Sequence, residues 1–153
     1  MIPIDLREES PHLPDAIMLV ESLWQEEGLL YGDTGPCRFK PEDVCHTGSA
    51  FIVARLDGRA VGCGAIRPLE LGVAELKRIY VLPEARRTGI ARRILEALDM
   101  RARQMGYRAI RLETGVLQPP AIALYVSQGY SPIPSYGEHA HDPRSRCFEK
   151  RLS

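Results

Sequence analysis

The residues that stand out for chemistry are Arg86-Arg87-Thr88-Gly89-Ile90-Ala91, set between an apolar run that ends at Pro83 and a strongly periodic helical segment. The first N–H groups of a helix have no internal partner and the helix dipole is positive at that end, so phosphate binds there readily. Glycine at 89 lets the backbone approach a ligand, and the two arginines add fixed positive charge. The same six residues also describe a plain turn with solvated arginines. Two other phosphate loops are excluded: no lysine is followed by Ser or Thr, and no Gly-x-Gly-x-x-Gly follows a first strand.

Two further groups of chemically able side chains point elsewhere. Cys37, Cys45, Cys63 and Cys147 are scattered, without the close pairs that zinc sites and redox dithiols use, and are expected as free thiols. His139, His141 and Asp142 sit in a Gly/Pro/Ser-rich stretch with no helical i, i+4 frame and no fourth ligand. No metal is expected there; a loop beside the substrate is.

These residues need a scaffold, and the hydrophobic periodicity describes one. Leu13 to Glu27 carries Ile17, Val20, Leu23 and Trp24 at helical spacing, with Gly28 as terminator and Trp24 expected in the helix core. A loop is expected from Gly28 to Thr47. Ser49–Leu56 and Ala60–Arg67 are apolar runs joined by Asp57-Gly58, a hairpin signal. Val73–Leu82 gives a third strand. Ile90, Ile94, Leu98, Ala102 and Met105 then mark the clearest helix, ended by Gly106. Tyr107–Thr114 follows as a strand in a β-α-β unit, which implies a parallel pair. Pro119-Pro120 opens a short helix through Tyr125 that stops at Gly129, and Tyr130–Ile133 and Cys147–Leu152 supply the last strands. The expected fold class is α+β: one mixed, mostly antiparallel sheet of six to seven strands with flanking helices, in a single domain over residues 1–153.

Read in that order, the motifs resemble the GNAT acetyltransferase superfamily. Its coenzyme signature, Arg/Gln-x-x-Gly-x-Gly/Ala, stands here as Arg86-x-x-Gly89-x-Ala91. Upstream, Glu75 to Pro83 looks like the superfamily's central strand. Downstream, Ala121-Ile122-Ala123-Leu124-Tyr125 with Gly129-Tyr130 is similar to its second motif. The match spans roughly residues 50 to 152. The resemblance departs at Arg87, where glycine is frequent, and at Gln118, where asparagine is common; a longer amide still reaches a coenzyme.

The resemblance implies the GNAT acyl-CoA N-acyltransferase fold, with acetyl-CoA as co-substrate and no metal. Pantetheine would lie in a gap beside the central strand and pair with backbone groups at Ile79 and Val81, while Arg86, Arg87, Thr88, Gly89, Ile90 and Ala91 hold the pyrophosphate and Gln118 adds an amide. Tyr125 matches the family's general acid for the departing thiolate. Glu75 lies six residues before Val81, hence on the same face by the two-residue strand period, and matches the glutamate base of some members. Glu138 or one of the two histidines is a further candidate to assist or to bind the acceptor. Glu113 is expected as an edge carboxylate paired with an arginine. The region of Trp24 and Tyr31 resembles the variable first helices that set acceptor specificity.

The implied activity is acetyl transfer to a primary amine, a small molecule rather than a protein, by direct attack in a ternary complex. The alternative is a non-catalytic sensor or partner module that binds CoA or an acyl-CoA. Twenty basic side chains balance twenty acidic ones, so no net field draws the chain to nucleic acid or an anionic membrane. No apolar run approaches the roughly 20 residues that span a bilayer. The start Met1-Ile2-Pro3-Ile4-Asp5 lacks a leader's shape, and a cytoplasmic location is expected. A homodimer is a family-level expectation.

Overall fold

The computed structural model describes residues 3–33 and 35–152. Met1, Ile2 and Ser153, at the ends of the expected domain, and Thr34, in the loop expected after the first helix, lie outside the described residues. The elements are β1 (Ile4–Glu8), α1 (Pro14–Tyr31), β2 (Ala50–Leu56), β3 (Arg59–Glu70), β4 (Val73–Val81), α2 (Ile90–Gln104), β5 (Ala109–Gly115), α3 (Pro119–Ser127), β6 (Ser131–Ile133) and β7 (Ser145–Arg151). They form one seven-stranded sheet in the order β1-β2-β3-β4-β5-β7-β6. Every neighbouring pair is antiparallel except β4 and β5, the parallel pair expected across α2. Among the described residues no helix is long and apolar enough to cross a membrane.

Local chemistry accounts for most boundaries. Asp57 and Gly58 both take positive φ, as the tight β2–β3 hairpin demands. β1 was not evident in the sequence: five residues with only Ile4 and Leu6 alternating give a weak signal, and pairing to β2 makes it a strand. Helix α1 runs past Gly28 to Tyr31, where Gly32 at φ 83° donates its N–H to the Gly28 carbonyl and caps it. Its buried stripe is Ala16, Leu19, Val20 and Leu23, while Ile17 is 38% exposed.

The helices cover both faces. On one face α1 packs against Phe51, Val53, Cys63, Ala65 and Tyr80. On the other, Ile90, Ile94, Leu95, Leu98 and Ala102 of α2 join Ile52, Ile66, Ala74, Leu76, Val81 and Tyr125. Glycine in β3 permits close approach of α2: a Cβ on Gly64 would lie 2.7 Å from Ile94 Cγ2 and 2.5 Å from Ile79 Cδ1.

Two irregularities in β4 shape the rest of the molecule. First, Cys63↔Tyr80 is followed by Ala65↔Lys77, so β3 advances two residues while β4 advances three. Arg78, at φ 58°, is in this bulge. The extra residue shifts the strand's alternation, so Ala74, Leu76, Ile79 and Val81 all belong to the α2 face. Glu75 therefore lies on the α1 face, opposite Val81, and the same-face placement expected from a uniform two-residue period is corrected. Second, β4 and β5 pair only at Val73↔Ala109, Ala74↔Ile110 and Glu75↔Arg111. Beyond that point the two strands part, leaving Leu76 to Val81 without a partner strand on the β5 side.

Candidate active site

The junction expected to hold phosphate is built as a loop with two left-handed positions. Arg87 at φ 65° and Gly89 at φ 81° turn the chain into α2, whose first intrahelical acceptor, the Gly89 carbonyl, is taken by the Arg93 N–H. The N–H groups of Ile90, Ala91 and Arg92 consequently have no helical partner. No acidic residue stands in that first turn. Val81, Arg86, Arg87, Gly89, Ile90 and Ala91, together with Ala85, Arg92 and Leu124, surround a cavity of about 210 Å³. Arg86 is committed elsewhere: its Nε donates to the Val81 carbonyl at 2.9 Å and its guanidinium pairs with Glu26 at 2.6 Å, so it braces the end of β4. Thr88 likewise braces the loop, its hydroxyl donating to the Ala85 carbonyl at 2.7 Å. Arg87 is exposed beside the cavity.

A second, larger cavity has a volume of about 710 Å³. Ile79, two residues before Val81 on the same face of β4, lines it, as does Tyr125, the neighbour of Leu124 on α3. The larger cavity is lined by both strands where they part, Leu76 and Ile79 of β4 and Leu112 and Gly115 of β5 among them, and the smaller one by Val81 at the end of β4. Gln118 lines the larger one and donates its amide to the Tyr31 hydroxyl at 3.4 Å, which also accepts the Leu117 N–H at 3.2 Å. Tyr31 sits so close to Gly115 that a Cβ there would overlap its hydroxyl, which ties the end of α1 to the end of β5.

Tyr125 is 8% exposed, with its ring edge-on to Tyr130 at 6.0 Å. Burial, and then the charges of Glu27 and Glu113, push its hydroxyl above the ordinary tyrosine range. The group stays protonated at neutral pH and, among the described residues, has no hydrogen-bond partner. A protonated hydroxyl free to donate is what a departing thiolate requires.

Sequence and fold comparisons agree with this geometry. Residues 17–130 match the acetyltransferase (GNAT) family model. The chain is 38% identical over 150 residues to the IAA acetyltransferase of Azospirillum brasilense, covering 97% of this chain and 98% of that one. This chain belongs to the GNAT acetyltransferase family. Its fold superimposes on a structure assigned as an acyl-CoA N-acyltransferase from Klebsiella pneumoniae with a TM-score of 0.83, at 32% identity and 98% coverage of each chain. The PaiA N-acetyltransferase of Thermoplasma acidophilum, solved with coenzyme A, aligns with a TM-score of 0.74 at 16% identity, over 98% of this chain and 99% of that one. The protein is accordingly an acyltransferase with a GNAT fold.

In this GNAT enzyme the surroundings of the larger cavity differ from the expectation in three places. Glu75 is 2% exposed, does not line the cavity, and has both oxygens occupied: Arg67 donates to Oε1 at 3.0 Å and the Tyr136 hydroxyl to Oε2 at 2.7 Å. Burial opposes its ionisation, but Lys77, Tyr136 and Arg67 together hold its carboxyl below the usual range. Glu113 finds no arginine among the described residues; it lines the cavity, accepts from the Ser145 hydroxyl at 2.8 Å and lies 3.9 Å from His139 Nε2. Trp24 is half-buried at the cavity wall, not in the core, with Nε1 donating to the Gly35 carbonyl at 2.9 Å and its ring against Phe39. Residues Glu138, His139 and Asp142 also reach this wall. One carboxylate that sequence reasoning passed over, Glu27 of α1, lines it too. The available signal was its spacing, four residues after Leu23 on the buried stripe.

Proposed function

We propose that this enzyme moves an acetyl group from acetyl-CoA to a primary amine by direct attack in a ternary complex, a small amine rather than a protein being the acceptor. The single observation that carries the reading is the gap between β4 and β5, whose two walls line the larger cavity, while Val81 at the end of β4 and the first turn of α2 line the smaller one. The side of β4 at Ile79 and Val81 that has no partner strand suits the amides of a pantetheine arm, which would add to β4 as a strand does, with the Val81 carbonyl already taken by Arg86 Nε. Arg87, Gly89, Ile90 and Ala91 suit the pyrophosphate, with Arg86 and Thr88 shaping the loop and Gln118 supplying an amide farther in. Tyr125, between them, is suited to protonate the sulfur.

Acidic surplus at the reaction end favours a cationic acceptor. Arg38 pairs with Asp33, Arg78 with Asp43, Arg144 with Asp142, and Arg67 and Lys77 with Glu75. Among the lining carboxylates of the described residues, Glu27, Glu113 and Glu138 have no Arg or Lys partner, and an ammonium fits beside them. Glu75, with both oxygens engaged, serves in this reading to hold Arg67 and Lys77 in the wall, and Glu75→Gln tests the base role matched to it by resemblance. The four free thiols suit a reducing, cytoplasmic setting. A homodimer is part of the proposal, with the open edge of β6 as its simplest contact.

The test is incubation of the purified protein with acetyl-CoA and a panel of primary amines while free CoA thiol is followed. Amine-dependent release supports the reading. Acetyl-CoA binding without release by any amine would favour a CoA-binding module, and absence of binding would overturn the proposal.

A further inference from the structure

We infer that Glu27 takes the proton from the incoming ammonium, with Glu113 holding that cation from the β5 wall; this rests on the acetyl-transfer reading above. In α1 the residues Ala16, Val20 and Leu23 form the buried stripe, and Glu27 is its next member by the alternating four-and-three spacing. A carboxylate is thereby carried to the sheet-facing side of the helix, where it lines the cavity with Tyr125 and Glu113. Among the described residues no hydrogen bond or ion pair engages it. That sets it apart from Glu75, which is locked by Arg67 and Tyr136.

Geometry and charge combine to suit Glu27 to the task. The charged groups that face it are Glu26 on its own helix, Glu113 on β5 and Lys77 on β4, and its own charge is felt by Tyr125 on α3. Burial, then Glu113, then Glu26, raise its carboxyl to about 7 against the pull of Lys77. A base poised near the working pH is half ionised there and recovers quickly after each proton.

One N–H bond of the ammonium breaks and its proton forms an O–H bond on Glu27. The freed nitrogen pair bonds the thioester carbonyl carbon, and the C–S bond breaks as the tetrahedral adduct collapses. Sulfur takes the Tyr125 proton, Tyr125 recovers one from the acylated nitrogen, and Glu27 releases its own to solvent. The sum is amide, free thiol and one proton.

Glu27→Gln, which keeps shape and removes the base, tests this with alkylamines such as benzylamine, which arrive protonated, and arylamines such as aniline, which arrive neutral. We expect kcat with alkylamines to fall by about a hundredfold or more and its rise with pH through neutrality to vanish, with arylamines losing less than about fivefold. Acetyl-CoA titration of the variant should match the wild type, showing an intact fold. Glu75→Gln should retain the rise with pH. If Glu27→Gln keeps that rise, or if both amine classes lose rate equally, the inference is overturned. A wild type that releases no thiol with any amine fails the acetyl-transfer reading instead, which separates the two.

Discussion

At Tyr125 the surrounding apolar packing and two nearby carboxylates act in the same direction, both holding the proton on the hydroxyl. Tyr125→Phe should therefore lower turnover by roughly a hundredfold while leaving acetyl-CoA affinity unchanged, as measured by thiol release and calorimetry. Unchanged turnover would remove the acid role. Glu27 makes a second prediction, on stability. Because its folded carboxyl is raised to about 7, the folded protein binds more protons than the unfolded chain between the ordinary carboxylate value and neutrality. The resulting stabilisation is present in full below that window and lost as pH rises through about 7. Glu27→Gln should then raise stability at pH about 8 by roughly 2 kcal/mol and have little effect at pH about 4, measured by urea unfolding. Tyr125 was legible because a motif surrounds it. Glu27 was not: directly after Gln25 and Glu26 near the end of an amphipathic helix, it looks like part of a solvated face until packing fixes the stripe of α1.

The elements that carry the site are β4 and the turn into α2. Hydrophobic runs, the Asp57-Gly58 turn and the helix punctuation made six of the seven strands and all three α-helices readable. The bulge in β4 was not, because its left-handed residue is Arg78, not a glycine, and nothing in the local sequence marks it. Arg78 is held there by contacts distant in sequence: it donates to the Lys40 carbonyl at 3.1 Å and to Asp43 at 2.9 Å. This one residue reversed the face assigned to Glu75. At the turn, Gly89 combines a left-handed φ with open space where a Cβ would stand. Gly89→Glu should cost about 1 kcal/mol of stability through backbone strain, yet abolish acetyl-CoA binding by placing bulk and negative charge at the helix terminus. Retained binding in a calorimetric titration would remove the loop from the site.

At the scale of the whole molecule, equal numbers of acidic and basic side chains leave no net field, and binding depends on where charges remain uncompensated. Arginines along the cavity are neutralised by neighbouring carboxylates, the α2 terminus stays positive, and Glu27 and Glu113 keep acidic character at the reaction end. The β2–β3 hairpin and the parallel β4–β5 pair were readable from the turn and the β-α-β unit, and the resemblance implied a gap beside β4, whereas the insertion of β7 between β5 and β6 was not legible in the sequence. The most direct measurement is amide hydrogen exchange with and without acetyl-CoA. Protection confined to the backbone from Ile79 to Val81 and to the first turn of α2 is the expected result. Unchanged exchange at both places under saturating acetyl-CoA would contradict the account at its centre.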